Sequence, residues 1–245
     1  MSALPPAVIW HDLECGSYTA DLGLWRELAD DAPGPLLDVG AGTGRVALDL
    51  AARGHEVVAL DADDDLLAAL HARAQAAGAS VEAVRADARE MALGRSFALI
   101  LVPMQTVQLL GGAPGRAAFL ACSREHLSPG GLLAIAIADG REAILDDGVV
   151  PEAPRPDVCE LDGVVYTSHP LAVVDEGPAV RIERLREIAA PGGRAVVERD
   201  VIRLESLSAA TLEQEGRMAG FAVRERRAVP ETDEHIGSTV VVLGG

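Results

Sequence analysis

Short apolar runs alternate with helically spaced apolar positions along the first 139 residues. The runs are Leu36–Val39, Val57–Leu60, Val81–Val84, Phe97–Val102 and Leu132–Ala138. Between them, Val46–Arg53, Asp64–Ala77 and Arg116–His126 carry apolar side chains at the spacing of one helix face. Strands too apolar to alternate, interleaved with amphipathic helices, predict a parallel sheet covered by helices on both faces. The stretch Ser128–Gly131 (SPGG) predicts a sharp turn into the last of these strands.

The pattern changes after Asp139. Residues 140–163 are rich in Pro, Gly and Asp and read as a loop or lid. Strands are predicted at Val164–Val174, Ala179–Ala189 and Arg194–Glu205, separated by turns at Asp175–Pro178 and Ala190–Gly193. Strands joined by tight turns form an antiparallel meander. Ser208 predicts a helix N-cap, with the helix running to about Ala219, and two closing strands follow near Ala222–Val229 and Thr239–Leu243. The expected organisation is an N-terminal helical lid (1–34), an α/β domain built from 35–139 and 206–245, and an inserted loop with β-meander (140–205). The expected fold class is α/β, a Rossmann-like doubly wound sheet with an antiparallel final hairpin.

The chemistry concentrates in PLLDVGAGTGRVALDLAARGHEVVALDAD, Pro35–Asp63. Glycines let a chain turn from strand to helix and bring a ligand against bare backbone. The spacing Gly40-x-Gly42-x-Gly44 departs from the dinucleotide pattern, because Arg45 stands where its last small residue belongs. A phosphate loop needs a lysine, and the chain has none.

The stretch DVGAGTG, with an acid inside the strand, resembles the first motif of class I S-adenosylmethionine-dependent methyltransferases, and of their bacterial small-molecule branch. Asp61 ends the second strand, where that family places a carboxylate for the ribose hydroxyls. Asp87, in VRADARE, matches an acid near the adenine. LVPMQT (Leu101–Thr106) matches the segment lining the methionine part, and Leu127–Ile137 resembles the turn into the fifth strand. The last two strands resemble the family's closing hairpin. The resemblance covers about residues 35–139 and 208–243. It implies a cofactor site of Tyr18, Asp38, Gly40, Ala41, Gly42, Thr43, Gly44, Asp61, Ala62, Asp87, Ala88, Pro103, Met104 and Gln105. It also implies S-adenosyl-L-methionine as cofactor, S-adenosyl-L-homocysteine as product, and a nitrogen or oxygen of a small molecule as acceptor. A carboxylate suits a diol because it accepts two hydrogen bonds at once. Asp38 suits the cofactor's ammonium group.

Other roles compete for several of these residues. Asp61 competes with a helix-cap role, which is the reading for Asp63, Asp64 and Asp65, and Asp87 competes with a turn role. Gln105, Thr106 and Gln108 face either a ligand or the start of a helix. The resemblance implies that the segment Trp10–Leu28 covers the cofactor, with Tyr18 as its hydrogen-bonding residue and Trp10 closing the site, and that the 140–205 insertion roofs a substrate or contacts a second copy. Trp25 is read as docking a helix on the sheet.

No catalytic base stands out. His11, Tyr18, His169 and His235 are weak candidates, whereas His55, His71 and His126 read as surface residues. No HxH or HExxH pair exists, so no metal is expected. The [D/N/S]PP[Y/F] motif, the lysine-dependent ribose set and the Pro-Cys nucleophile of nucleic-acid methyltransferases are all missing.

Composition narrows the partners. The formal net charge of −17 disfavours nucleic acid and anionic lipid. All 21 basic residues are arginine, which reads as genomic coding bias. Cys15, Cys122 and Cys159 form no CxxC pair, so no disulfide framework is expected. The N-terminus lacks a basic region followed by an apolar run, and no apolar run approaches a membrane span of ~20 residues. The expectation is a cytoplasmic bacterial protein, with a homodimer as one arrangement. The rival readings are a non-catalytic cofactor-binding or scaffold protein of the same fold and an NAD-dependent oxidoreductase.

Overall fold

A computed structural model describes residues 4–139, 155–232 and 237–245. The elements in chain order begin with α1 (Pro6–His11), a π-helical turn (Asp12–Gly16), α2 (Leu22–Asp30), β1 (Leu36–Val39), α3 (Arg45–Ala52), β2 (Val57–Asp61), α4 (Asp64–Ala77), β3 (Val81–Arg85) and β4 (Phe97–Val102). A 3₁₀ turn (Thr106–Leu109), α5 (Gly112–Glu125) and β5 (Leu127–Ile137) follow. Then come β6 (Asp157–Leu161), β7 (Val164–Asp175), β8 (Ala179–Ala189), β9 (Val196–Glu205), α6 (Ala209–Met218), β10 (Ala222–Val223), β11 (Arg227–Val229) and β12 (Ser238–Gly244). The chain divides into two compact units, one of residues 1–17 with 140–206 and one of 18–139 with 207–245. The division falls between Ser17 and Tyr18, inside the stretch expected as a single lid.

The larger unit holds an eight-stranded sheet in the order β10-β12-β5-β4-β1-β2-β3, with β11 also on β12. Strands β1 to β5 pair in parallel, and β12 runs antiparallel to β5. This is the predicted Rossmann-like sheet with an antiparallel ending. β1 lies between β2 and β4, so all four of its residues are buried. One core cluster packs Phe97, Phe119, Leu120 and Ile135 on one face of the sheet, and a second packs Trp25, Leu50, Leu70 and Leu101 on the other. Each such large side chain contributes about 1.5–3 kcal/mol of hydrophobic stabilisation. Asp63 caps α4, its side chain accepting from the N–H groups of Asp65 and Leu66, and Ser208 caps α6 by accepting from Thr211 N–H.

Four local expectations are corrected. Ser128–Gly131 is a bulge inside β5, not a turn before it: Leu127 pairs with Phe97 and Leu132 with Leu99, so extra residues loop out on one side. Part of the expected 140–163 loop is strand β6, joined to β7 by Asp162 and Gly163, both at positive φ (52° and 79°). That Asp-Gly pair is the signature of a two-residue hairpin turn; residues 140–154 lie outside the described set. The strand expected over Ala222–Val229 is split, because three residues lie between Val223 and Arg227 while two lie between their partners Val240 and Leu243.

His126 is buried, not a surface residue. The backbone N–H of Leu93 donates to its Nε2 (2.9 Å), so its Nδ1–H donates to Cys122 O (2.8 Å) and the neutral tautomer is fixed. A His126→Ala change removes the ring from a buried position and leaves the half-buried Leu93 N–H unpaired, while Cys122 O keeps the backbone N–H of residue 126. We expect it to lower stability by about 2–4 kcal/mol in urea unfolding.

The smaller unit holds the antiparallel sheet β6-β7-β8-β9. Trp10 is buried, edge-on to Tyr166 (5.6 Å between centroids), with the Arg186 guanidinium 5.4 Å above its ring. Glu14 takes Arg186 in a fork (2.9 and 2.7 Å) and accepts from Ser168 Oγ (2.8 Å), while Arg186 also reaches Asp200 (2.9 Å). These contacts pin the N-terminal helix to the sheet.

Candidate functional site

The carboxyl ends of neighbouring parallel strands form the ligand-facing edge of an open α/β sheet. Here β4, β1, β2 and β3 lie side by side. Their ends therefore bring together Pro103–Gln105, Asp38 with the glycine loop, Asp61 with Ala62, and Asp87 with Ala88.

The loop from β1 to α3 needs its glycines. Gly40 has φ +72°, and a Cβ there would sit 2.5 Å from Thr106 Cγ2. Gly44 has φ +96°, and a Cβ there would sit 2.8 Å from Leu70 Cγ. Side chains at either position meet both backbone strain and a clash. The N–H groups of Gly40 and Ala41 donate to Leu60 O (2.8 and 3.0 Å), which ties the loop to β2.

Asp61 closes β2, half-buried. Its Oδ2 accepts from Gly42 N–H (2.8 Å) and its Oδ1 from Asp63 N–H (3.0 Å). These bonds orient the carboxylate, and each oxygen retains capacity for another donor. Two acceptors presented side by side fit a vicinal diol.

Asp38 is 1% exposed, and neither carboxylate oxygen has a hydrogen-bonding partner. Burial pushes its pKa up to about 7, against the pull of the Arg45 guanidinium. A buried carboxylate without a partner calls for a compensating donor or cation.

Asp87 is held by its neighbour. Arg89 donates through Nε and Nη2 to its carboxylate (2.9 and 2.5 Å), and Arg89 N–H caps Oδ1 (2.9 Å). These bonds pull the Asp87 pKa down to about 2, so the group is ionised at neutral pH.

At the end of β4, Pro103 is buried and Met104 and Gln105 are half-buried. Met104 has φ +56°, a conformation that costs a non-glycine residue about 1–2 kcal/mol. Such strain is concentrated at functional turns. Gln108 is buried and accepts from Ala138 N–H (2.9 Å), so it ties the 3₁₀ turn to the end of β5.

Tyr18 and Trp25 lie beneath the loop in the second core cluster. Asp21, 2% exposed, takes Arg45 in a fork (2.6 and 2.9 Å) and accepts Trp25 Nε1–H (2.8 Å). Arg45 also donates to Tyr18 O (2.9 Å) and lies 5.2 Å from its ring centroid. Sequence reasoning treated Arg45 only as a misfit and passed over Asp21 and Arg89. Their partners lie 24 residues away or are set by a loop's shape, and no motif spacing signals them.

His11 and His169 belong to the smaller unit, at the end of α1 and in β7. His235 lies outside the described residues. Among the described residues, no group of three or more His, Cys, Asp or Glu is placed to hold a metal, and no helix is long and apolar enough to cross a membrane.

Residues 36–131 match the family of methyltransferase domains. The chain is 31% identical over 159 residues to the dTDP-3-amino-3,4,6-trideoxy-α-D-glucopyranose N,N-dimethyltransferase of Streptomyces venezuelae, a match spanning 64% of this chain and 62% of that enzyme. The crystal structure of S. venezuelae DesVI superposes with a TM-score of 0.68 at 27% identity, covering 90% of this chain and 87% of the other. The structure of SAM-bound CalS10, an amino pentose methyltransferase from Micromonospora echinaspora, superposes with a TM-score of 0.72 at 22% identity over 99% of both chains, a likeness of fold.

Proposed function

From the methyltransferase-domain match over residues 36–131, we infer that this chain is a class I methyltransferase that binds S-adenosylmethionine and methylates a nitrogen or oxygen of a small-molecule acceptor. The observation that carries this reading is Asp38, whose buried carboxylate lacks a partner at the end of β1. The site matches the cofactor's groups and not those of a dinucleotide. Asp38 suits the ammonium, Asp61 suits the ribose diol and Asp87 suits the adenine edge. Thr43 and the backbone of Ala41, Gly42 and Gly44 line the loop, with Ala62, Ala88, Pro103, Met104 and Gln105 on the flanking strand ends. The bound cofactor supplies an activated methyl group on a sulfonium.

The chain's own contribution is alignment and exclusion of water. Tyr18 stands beneath the loop with its pKa raised, chiefly by burial, so its phenol stays protonated at neutral pH and acts as a hydrogen-bond donor. An amine acceptor that arrives unprotonated needs no enzymic base; a hydroxyl acceptor needs one. The amino-sugar substrate named for the S. venezuelae relative makes a sugar amine the first acceptor to test. His11, His169 and His235 are the base candidates for a hydroxyl acceptor. The net charge of −17 favours a small molecule over nucleic acid. Exposed Val158, Val197 and Val201 on the meander sheet are proposed as the contact of a homodimer.

Calorimetric titration tests the reading. S-adenosylmethionine and S-adenosylhomocysteine are expected to bind one-to-one and NADH not at all; binding of NADH alone overturns it.

A further inference from the structure

We propose that Arg89 is a positioning residue that sets base selectivity: it holds the Asp87 carboxylate with a single acceptor site open, and that site selects adenine over hypoxanthine. The proposal deepens the cofactor reading above and rests on it. Ala86 N–H donates to Asp61 O (3.0 Å), which ties the end of β3 to the end of β2. Asp87 therefore stands one residue from a direct bond to the acid assigned to the ribose, on the side where the base of the same nucleoside lies. An ionised carboxylate offers about four acceptor sites, two on each oxygen. Oδ1 of Asp87 takes Arg89 N–H and Arg89 Nε–H, both at 2.9 Å. Oδ2 takes Nη2–H at 2.5 Å, with Nε in a longer cross-contact of 3.1 Å. Oδ1 is filled, and Oδ2 keeps one site.

Arg89 is itself anchored by the segment around α5. Its Nη1 donates to Leu110 O (3.4 Å), and its own carbonyl accepts from Cys122 Sγ (3.2 Å). Gly115 in α5 leaves the space for this: a Cβ there would meet Leu110 O at 1.7 Å and Arg89 Cδ at 3.4 Å. The turn that carries both residues is closed by Glu90 N–H on Asp87 O (3.1 Å). The side chains of Arg89 and Asp87 are 47% and 31% exposed, and a pair so open to solvent adds little to folding. What it sets is direction. The exocyclic amine of adenine donates and fits the open site on Oδ2. The exocyclic oxygen of hypoxanthine only accepts, and a carboxylate ionised at neutral pH has no proton to give it. Lysine cannot take the place of Arg89, because an ammonium is a point charge without the planar fork that fits both oxygens.

The test measures calorimetric affinities at neutral pH for S-adenosylhomocysteine and for S-inosylhomocysteine, its hypoxanthine counterpart, with thermal melts verifying that each variant folds. Wild type is expected to favour the adenine ligand by about 10- to 100-fold, the worth of one hydrogen bond to a charged acceptor. Arg89→Gln and Arg89→Lys are both expected to reduce that preference to about threefold or less, the loss falling on the adenine ligand, because neither side chain rebuilds the fork. Asp87→Asn also removes the preference, since an amide can turn to donate or accept. Adding Arg89→Gln to Asp87→Asn changes the ratio no further, because the arginine acts only through the carboxylate. An equal loss for both ligands in the Arg89 variants, with the wild-type ratio kept, would make Arg89 merely structural and overturn the proposal while the cofactor reading stands. Wild-type protein that binds both ligands equally has the same consequence. Binding of neither ligand by wild type overturns the proposal and the cofactor reading together.

Discussion

Asp61→Ala is expected to weaken S-adenosylmethionine binding by about 100-fold or more, because two hydrogen bonds to a charged acceptor, each worth about 1.5–3 kcal/mol, disappear together. The geometry behind this number is specific. Gly42 N–H and Asp63 N–H hold the two oxygens at 2.8 and 3.0 Å, so the carboxylate waits in one orientation and a diol incurs no ordering cost on its side. The alanine variant also frees Gly42 N–H, which loosens the loop that receives the cofactor. Asp61→Asn separates the two effects. It keeps an acceptor for one backbone donor and one ribose hydroxyl, and an intermediate loss is expected. Calorimetry at pH 7.5 reads the affinities, with a melting curve for each variant to show that it folds. Unchanged affinity for Asp61→Ala would mean that Asp61 is a helix-terminus residue and that the ribose sits elsewhere.

Asp38→Asn should separate binding from stability in opposite directions. It removes the buried charge proposed for the ammonium, and affinity is expected to fall by about 100-fold, in line with loss of a buried charge-assisted pair. The cofactor-free protein should respond in the other sense. Burial raises the Asp38 pKa from 3.8 to about 7 in the folded chain. Folded protein therefore keeps a proton that unfolded chain has lost, throughout that window. The stability this group contributes is fully present below about pH 4 and lost as pH rises through 7, a decline of about 4 kcal/mol. Asp38→Asn abolishes the decline. The difference between wild type and variant isolates Asp38 from Asp87, whose depressed pKa works oppositely, its stabilisation being lost only as pH falls toward 2. Urea unfolding from pH 4 to pH 8 measures that difference; one that stays flat with pH would mean Asp38 is ionised and partnered in the folded chain.

Much of this architecture is legible along the chain. β1, β2 and β4 coincide with apolar runs because a strand buried on both faces must be apolar nearly throughout. That rule also exposes Asp38, the one charge in Leu36–Val39. The glycine spacing is legible because positive φ and close approach leave few other residues possible at Gly40 and Gly44. The hairpins of the meander announce themselves in their turn residues, although Asp162–Gly163 passed as loop because it sits in a Pro- and Gly-rich stretch.

Local pattern alone thus determined the alternation of strands and helices, the parallel sheet, the loop and the acids at the strand ends. Tertiary structure alone decided which charges meet. His126 reads as an exposed helix end until the backbone of Leu93, 33 residues away, arrives to donate to it. Arg45 reads as a departure from a motif until Asp21 and Tyr18 close over it from another segment. Asp87 reads as an adenine-side acid or a turn residue until Arg89 folds back upon it. Periodicity reports which face of an element is buried, because burial is a property of one strand or helix at a time. The ionisation of a buried carboxylate depends on distance to charges from several segments, and only the folded chain sets those distances.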